Sequence, residues 1–204
     1  GKVTETVHLI NWQEPEKNDF ALAEEVTLKG GHERRPDIVL YVNGIAVGVL
    51  ELKRSFVSIG DGIRQNLSNQ RPEFNEWFFS TVQFVFAGKD TEGLRYGTIG
   101  TPEKYWLAWK EDEHDNTRFK LDKYLIKMCD KKRLIGLIYD FVLFDGGIKK
   151  VPRVHQYFAI QAAQEYVKRH EGGIIWHSQG SGKSIVMVFL AKWILENNPN
   201  ARVA

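Results

Sequence analysis

The sequence predicts an α/β fold, in which a mixed β-sheet with flanking helices is followed by one further strand, a glycine-rich loop and a helix. Two observations predict it. Apolar runs of strand length alternate with turn residues in the first half, and a Ser/Gly loop separates an apolar run from a helical segment near the end. A chain of 204 residues with 43% hydrophobic content can bury one full domain and part of another.

The strands of the sheet are predicted from short apolar runs at residues 7–10, 38–42, 45–52 and 82–87. Asn43-Gly44, between the second and third runs, is a signal for a two-residue hairpin. The polar segment 61–76 is predicted to be helical up to Pro72. These elements together predict a sheet domain with at least one helix.

Helical periodicity dominates the second half. Apolar residues recur at helical spacing over 122–144 in two pieces, broken near Cys129-Asp130, and Asp145-Gly146-Gly147 ends the second piece. We place a domain boundary near Gly147. Residues 1–147, with a helical tail at about 121–145, then form the first domain, and residues 148–204 begin a second. That second domain is predicted as a helix at 154–169, a strand at 173–176 and a helix at 184–196.

The composition excludes several classes of protein. No apolar run approaches the ~20 residues that a membrane span needs, and no export signal opens the chain, so we expect a cytoplasmic protein with no membrane partner. The single cysteine, Cys129, excludes an intrachain disulfide. A formal net charge of +2 is too small to imply nucleic-acid binding, which must therefore depend on local clusters such as Arg34-Arg35 and Lys53-Arg54.

The most specific motif is the loop 178–184, Ser-Gln-Gly-Ser-Gly-Lys-Ser. Its glycines let backbone amides curl around a phosphate, and the helix that follows adds the positive end of its dipole. Lys183 is expected to reach the outer phosphates of a nucleotide and Ser184 to hold Mg²⁺. His177 stands where the strict pattern has a first glycine, a relaxation common in helicase-type loops.

Gln156 lies at the start of the helix that precedes this loop. Its amide can donate and accept at once, so it can recognise the two-faced edge of adenine. In this place it resembles the adenine-reading glutamine of superfamily 2 helicases. We therefore predict an ATP site formed by Arg153, Gln156, Gln179, Gly180, Ser181, Gly182, Lys183 and Ser184.

A second constellation joins Pro36-Asp37 to Glu51-Leu52-Lys53. Alternation along a strand puts Glu51 and Lys53 on one face, and the hairpin brings Asp37 back towards that strand end. Two carboxylates offer the hard oxygen ligands that Mg²⁺ prefers. The lysine ammonium can orient or activate a water and offset charge on a phosphate.

The spacing in this constellation requires an irregular hairpin. A regular two-residue turn at Asn43-Gly44 would pair Asp37 with Leu50 and leave Glu51 on the opposite face. We therefore expect a β-bulge, with the strand-interior Gly48 as its most favourable place, or a longer turn.

The segments Arg35-Pro36-Asp37-Ile38-Val39-Leu40 and Leu50-Glu51-Leu52-Lys53, followed by Gln65, resemble the PD-(D/E)xK nuclease core in the motor subunit of type I restriction enzymes. The resemblance implies a restriction-endonuclease-like sheet, then the first strand-loop-helix of a RecA-like translocase. It implies catalytic roles for Asp37, Glu51, Lys53 and Gln65, with the nuclease Mg²⁺ on Asp37 and Glu51. The family continues as Gln-x-x-x-Tyr, and here Asn69 replaces the tyrosine.

The same resemblance implies a type I site-specific deoxyribonuclease that uses Mg²⁺ and ATP, translocates duplex DNA, and works with specificity and methylation subunits. We expect DNA contacts from Arg35, Arg54, Arg64 and Arg71. The chain starts at Gly1 and ends about one helix after the phosphate loop, so we expect a fragment of a longer protein that does not hydrolyse ATP alone.

Two other functions stay open at this point. A DNA-repair or helicase-associated nuclease would cut free ends or flaps, and a non-catalytic DNA-binding or assembly module would keep only the sheet. A separation of Asp37 and Glu51 beyond roughly 8 Å would favour the module, because the two carboxylates could not share a metal ion.

Overall fold

A tight hairpin forms two neighbouring strands of the sheet in the computed structural model, which describes residues 5–30, 32–116 and 118–203. Strands β2 (Ile38–Val42) and β3 (Ile45–Leu52) pair antiparallel across Asn43-Gly44. Both turn residues have positive φ, 50° and 77°, as a type I′ turn requires. The predicted strands and the turn between them are confirmed.

The sheet has six strands in the order β1-β2-β3-β4-β5-β6. The other four are β1 (Phe20–Glu24), β4 (Phe84–Lys89), β5 (Gly93–Gly97) and β6 (Leu107–Ala108). Strands β3 and β4 are parallel, and the remaining neighbours are antiparallel. The sheet is therefore mixed, as predicted.

Helices flank this sheet. Helix α1 (Ile59–Asn69) connects the parallel strands β3 and β4 and packs against both. Ser58 begins the helix by accepting a hydrogen bond from the Gly60 amide. Helix α2 (Lys120–Met128) packs against β5, and α3 (Lys131–Asp140) follows the predicted break at Cys129-Asp130. A mixed sheet with flanking helices confirms the α/β fold class.

The core between α1 and the sheet consists of branched and aromatic side chains. Ile63 on α1, Val49 on β3 and Val85 on β4 belong to one buried cluster, together with Phe79. Burying four such side chains contributes about 1.5–3 kcal/mol each relative to exposure. This packing holds α1 against the carboxyl-terminal half of β3.

The chain divides at Gly136 into two compact units. The second contains β7 (Leu143–Asp145), β8 (Ile148–Lys150), α4 (Val154–Lys168) and α5 (Lys183–Asn197). Helices α4 and α5 pack on each other, and the ring of Phe141 lies 5.0 Å from Tyr157 and 5.5 Å from Phe189. The predicted boundary at Gly147 lies later, in the turn between β7 and β8.

Two predicted strands are wrong. Residues 7–10 and 173–176 form no strand, and the side chains of Ile174 and Trp176 are 90% and 89% exposed. A strand must satisfy its backbone groups on a neighbour, and in the described part of the chain neither segment has one. An apolar run is therefore not sufficient for a strand.

Other differences lie at element ends and sheet edges. The helix predicted to reach Phe144 stops at Asp140, and Leu143–Asp145 pairs with Ile148–Lys150 instead. Strands β1, β5 and β6 were not predicted, because their short, partly exposed or glycine-flanked segments lack a clear apolar run. Among the described residues, no helix is both long and apolar enough to cross a membrane.

Candidate active site and phosphate loop

A β-bulge sets the register of the hairpin at the candidate active site. Near the turn Tyr41 pairs with Ala46, but the next pair is Leu40 with Gly48, so Val47 is an extra residue on β3. The register shifts by one position at this point, next to Gly48. The predicted bulge is confirmed.

The bulge brings the two carboxylates to the same place. Beyond it Ile38 pairs with Leu50, so the next position in the same register sets Asp37 beside Glu51. Paired positions in antiparallel strands have Cα atoms about 4.5–5.5 Å apart. Asp37 Oδ2 also accepts a hydrogen bond from the amide of Leu52 at 2.6 Å, which fixes its side chain against β3.

Glu51 is a buried acid. None of its surface is exposed to water, and no N–H group of the described residues donates to Oε2, although the carboxyl group lies within hydrogen-bond reach of the Asp37 carboxyl. Burial, and then the charge of Asp37, raise the pKa of Glu51 to about 8, although Lys53 acts in the opposite direction. The free carboxylic acid therefore holds its proton at neutral pH unless a cation replaces that proton.

Helix α1 presents two amide side chains to β3. Lys53 Nζ donates to Gln65 Oε1 at 2.6 Å, and Asn69 Nδ2 donates to Glu51 Oε1 at 3.1 Å. The family resemblance predicts Gln65, whereas the sequence leaves the role of Asn69 open. The signal that could have found Asn69 is its spacing of four residues from Gln65, which places both on one face of a helix.

The donor set suits a hard divalent cation. Asp37 and Glu51 provide carboxylate oxygens, and a buried, unpartnered Oε2 on Glu51 is the kind of atom that a bound cation satisfies. In the described residues no group of three or more His, Cys, Asp or Glu side chains could hold a metal. A cation here would thus be held by two carboxylates, with other ligands from water or substrate.

Three of the four arginines predicted to contact DNA are paired with carboxylates. The contacts are Arg64 with Asp61 and with Glu103, both at 2.6 Å, Arg35 with Glu25 at 3.5 Å and Arg71 with Glu73 at 3.8 Å. Arg54 is exposed, next to Lys53, and forms no ion pair with a described residue. The four arginines therefore differ in how freely they can meet a phosphate.

The phosphate loop leads directly into α5. Gly180 and Gly182 have φ of 76° and 83°, the left-handed conformation that glycine tolerates. Lys183 and Ser184 occupy the first turn of α5, where backbone amides have no partner within the helix. The Lys183 ammonium donates to the carbonyls of His177 and Ser178 at 3.1 and 3.3 Å, so it folds over the loop. Gln179 is exposed and Ser181 is buried.

Gln156 binds the loop itself. Its Oε1 accepts from the amide of Arg153 at 2.8 Å, and its Nε2 donates to the carbonyls of Ser181 and Gly182 at 3.1 and 3.2 Å. A Cβ at position 182 would lie 2.5 Å from that Nε2, so the contact also requires glycine there. The structure thus places Gln156 against the phosphate loop, with Arg153 bonded to Gln156 rather than to the loop, while recognition of adenine by Gln156 stays a prediction.

His177 occupies the place of the first loop glycine. Its ring stands edge-on to that of His155 with centroids 5.1 Å apart, and His155 contacts the Ser181 carbonyl at 3.0 Å. Burial, followed by the charges of His155 and Lys183, lowers the pKa of His177. The imidazole is therefore predominantly neutral near pH 7 and adds little positive charge to the loop.

Comparison with known protein families gives one match in each half of the chain. Residues 1–104 match the family described as type I restriction enzyme R protein N terminus, and residues 155–204 match the family described as SWI2/SNF2 ATPase. The first match includes every residue of the candidate active site. The second includes the phosphate loop and Gln156.

Individual relatives point the same way. A Methanocaldococcus jannaschii protein named as the MjaVIIIP type I restriction enzyme endonuclease subunit is 29% identical over 94% of this chain and 20% of its own length. The HindI endonuclease subunit of Haemophilus influenzae is 27% identical over 94% of this chain and 20% of its own. The chain spans about a fifth of the length of these curated relatives.

Proposed function

Because the chain belongs to the family described as type I restriction enzyme R protein N terminus, we propose that its first unit is a Mg²⁺-dependent endonuclease centre that cleaves duplex DNA. The observation that carries the proposal is the bulged register, which sets Asp37 beside Glu51, with Lys53 directly after the end of β3 and bonded to Gln65. Asp37 and Glu51 lie side by side in this register, so the wide separation that would favour a non-catalytic module is not found.

Asp37 and Glu51 are the residues that would hold Mg²⁺. When bound, the ion would polarise the scissile phosphate and lower the pKa of a coordinated water. Asp37 is fixed by the Leu52 amide, and Glu51 offers its unpartnered Oε2. The Asp37 and Glu51 carboxyl groups are therefore each held by one hydrogen bond, to the Leu52 amide and to Asn69, before a cation binds.

Lys53 would act on the phosphate, and Gln65 would hold it in place. The 2.6 Å hydrogen bond to Gln65 Oε1 holds the Lys53 ammonium in one direction and still leaves two N–H donors. Those donors can orient an attacking water and offset the negative charge that develops on the phosphate. Gln65 is thus proposed to position the lysine rather than to touch DNA.

The second unit is proposed to bind ATP with Mg²⁺. Support comes from the two left-handed glycines, the first-turn amides of α5 and the Lys183 ammonium, a combination that suits phosphate oxygens. The match to the SWI2/SNF2 ATPase family covers these residues. Gln156 would then shape the loop by its contacts with Ser181 and Gly182, and Ser184 would bind the nucleotide-associated Mg²⁺.

The whole protein is proposed to be the motor and endonuclease subunit of a type I restriction enzyme. It would act in the cytoplasm on duplex DNA that it translocates, in a complex with specificity and methylation subunits. The names of the relatives at 29% and 27% identity support the restriction system. Sequence preference would lie in another subunit.

A plasmid-nicking assay tests the nuclease proposal. We expect Mg²⁺-dependent nicking by the wild-type chain and a loss of at least a hundredfold in Lys53→Ala, because removing one electrostatic donor to the transition state costs about 10²–10³ in rate. Lys110→Ala, which removes an exposed lysine paired with Glu113 in the same unit, is the matched control and should nick normally. Unchanged nicking by Lys53→Ala would exclude a catalytic role for that ammonium.

A further inference from the structure

We propose that Asn69 is a positioning residue for Glu51, which restrains one carboxylate oxygen and leaves the other to face the cation. The inference rests on the proposed nuclease function. It concerns the position at which the family pattern has tyrosine and this chain has asparagine.

The contact itself is the first line of support. Asn69 Nδ2 donates to Glu51 Oε1 at 3.1 Å, and both residues are buried, with exposures of 1% and 0%. Away from water, no solvent molecule can compete for that oxygen, so one hydrogen bond decides how the carboxylate is turned. The second oxygen, Oε2, receives no N–H donor in the described chain, so it is the oxygen that can face a cation together with the neighbouring Asp37 carboxyl.

The geometry of helix and strand gives the second line of support. Asn69 and Gln65 are four residues apart on α1, about 6 Å along the axis at 1.5 Å per residue. Glu51 lies in β3 and Lys53 directly follows the strand, with its amide still bonded to the Gly88 carbonyl of β4, so the two are about 6.6 Å apart at 3.3 Å per residue. The two spacings match, and the helix and the strand segment run in opposite directions. Gln65 can therefore bond to Lys53 while Asn69 bonds to Glu51.

The place of Asn69 on the helix is itself fixed. Asn69 is the last residue of α1, and its carbonyl accepts a hydrogen bond from the Asn75 amide at 3.2 Å. The neighbouring Gln70 accepts from the Gly100 amide at 2.8 Å and donates to Asn66 at 3.3 Å. These contacts immobilise the end of the helix, so the amide can hold the carboxylate in one orientation.

A purely structural role is less consistent with these contacts. Asn66, also fully buried on α1, donates to the backbone carbonyls of Val49 and Phe86 and so ties the helix to two strands. Asn69 makes no such link among the described residues, because its Nδ2 donates to Glu51 and its Oδ1 has no partner. The two asparagines therefore form a matched pair for an experiment.

Calorimetric titration of the full chain with Mn²⁺, used as the probe for the nuclease cation, tests the proposal. We expect one site in the wild type that is lost in Glu51→Gln. Asn69→Leu and the smaller Asn69→Ala should each weaken Mn²⁺ binding by at least tenfold, since changes to groups that orient metal ligands cost about 10–100-fold in affinity. Asn66→Ala should lower the melting temperature while leaving the Mn²⁺ dissociation constant within twofold of wild type.

A second readout separates affinity from rate. In the nicking assay the Mg²⁺ concentration for half-maximal cleavage should rise by the same factor in the Asn69 variants, with a smaller change at saturating Mg²⁺. Wild-type Mn²⁺ affinity in both Asn69 variants, beside lost binding in Glu51→Gln, would overturn the role of Asn69 and leave the nuclease proposal intact. Equal weakening by Asn66→Ala would also overturn it. A wild-type chain that binds no Mn²⁺ would instead remove the nuclease proposal on which it rests.

Discussion

Glu51 shows at the scale of one residue how burial changes the chemistry of an acid. The side chain lies under α1 with no contact to water, and burial together with Asp37 raises its pKa to about 8. Because the pKa of Glu51 is raised from 4.5 in the folded chain, the folded state binds this proton more tightly than the unfolded state does. Protonation of Glu51 therefore stabilises the fold at low pH. That contribution is complete below pH 4.5 and is lost progressively as the pH rises to about 8.

We predict that Glu51→Gln stabilises the metal-free protein at pH 8 by an amount on the order of a few kcal/mol, and has little effect at pH 4.5. The neutral amide keeps the shape of the side chain but has no charge to bury. Urea unfolding in a chelator across this pH range measures the effect. Glu113→Gln, at an exposed ion pair, is the control and should leave the pH dependence unchanged. A wild-type pH slope retained in Glu51→Gln would contradict the assignment.

The arginines near the site are expected to contribute unequally to DNA binding. Arg54 is exposed without an ionic partner among the described residues, whereas Arg64 is paired with both Asp61 and Glu103 at 2.6 Å. A phosphate that binds Arg64 must compete with two carboxylates. We therefore expect Arg64 to contribute less to phosphate binding than Arg54.

We predict that Arg54→Ala reduces the slope of log affinity against log salt by about 0.9, the value for one phosphate contact on duplex DNA. Arg64→Ala should change the slope by clearly less. Fluorescence anisotropy with a labelled duplex, with Ca²⁺ in place of Mg²⁺ and over a salt series, provides the comparison. If Arg64→Ala has the larger effect, its ion pairs must open on DNA binding.

At the scale of secondary-structure elements, the hairpin and α1 carry the candidate site. The turn at Asn43-Gly44 sets the pairing of the residues next to it. The extra residue Val47 then shifts the pairing by one position, so that Asp37 lies beside Glu51. Gly48 lies close against Leu40 and Phe86, where an added Cβ would come within 3.1–3.3 Å. Glycine at this point thus permits the tight approach that accompanies the bulge.

The two glycines Gly44 and Gly136 allow a direct test of backbone conformation. An added Cβ would meet nothing within 4 Å at either position, but Gly44 has φ of 77° in the turn while Gly136 lies within helix α3. We predict that Gly44→Ala lowers the free energy of unfolding by about 1–2 kcal/mol, and that Gly136→Ala raises it by about 0.4–1 kcal/mol. Chemical denaturation measures both. Effects of the same sign would show that factors other than φ dominate.

At the scale of the whole molecule, the chain places two candidate ligand sites in two compact units. Asp37, Glu51 and Lys53 belong to the unit that ends at Gly136, and the phosphate loop belongs to the other. Each site is formed by contacts within its own unit, because α1 orients β3 in the first and α4 holds the loop in the second. The two binding functions should therefore be separable by single substitutions.

We predict that one substitution in each unit removes the activity of that unit and leaves the other activity unchanged. Lys183→Ala should weaken the binding of a fluorescent ATP analogue by at least tenfold, since it removes the ammonium nearest the phosphates, and should leave Mg²⁺-dependent nicking unchanged. Lys53→Ala should abolish nicking and leave the binding of the ATP analogue unchanged. Lys192→Ala, on the same helix as Lys183 but bound to Tyr139 and Glu196, is the control for nucleotide binding. Loss of both activities in either variant would show that the units depend on each other.

The sequence by itself determined the α/β class, the central hairpin, the bulge and the residues of both motifs. Those features depend on local patterns: alternation along β3, positive φ at Asn43-Gly44, and glycines before a helix. The bulge followed from counting residues, because a regular two-residue turn would pair Asp37 with Leu50 and put Glu51 on the opposite face of the sheet.

Only the tertiary structure decided which apolar runs become strands and which polar groups meet. Residues 7–10 and 173–176 have apolar side chains but no neighbouring strand in the described chain, so their backbone is not paired. Arg64 is paired with Asp61 on its own helix and with Glu103, which its position in the sequence does not indicate. The direct bonds from Asn69 to Glu51 and from Gln156 to the Ser181 carbonyl also depend on the packing of separate elements, because the sequence patterns only place these residues near the same sites.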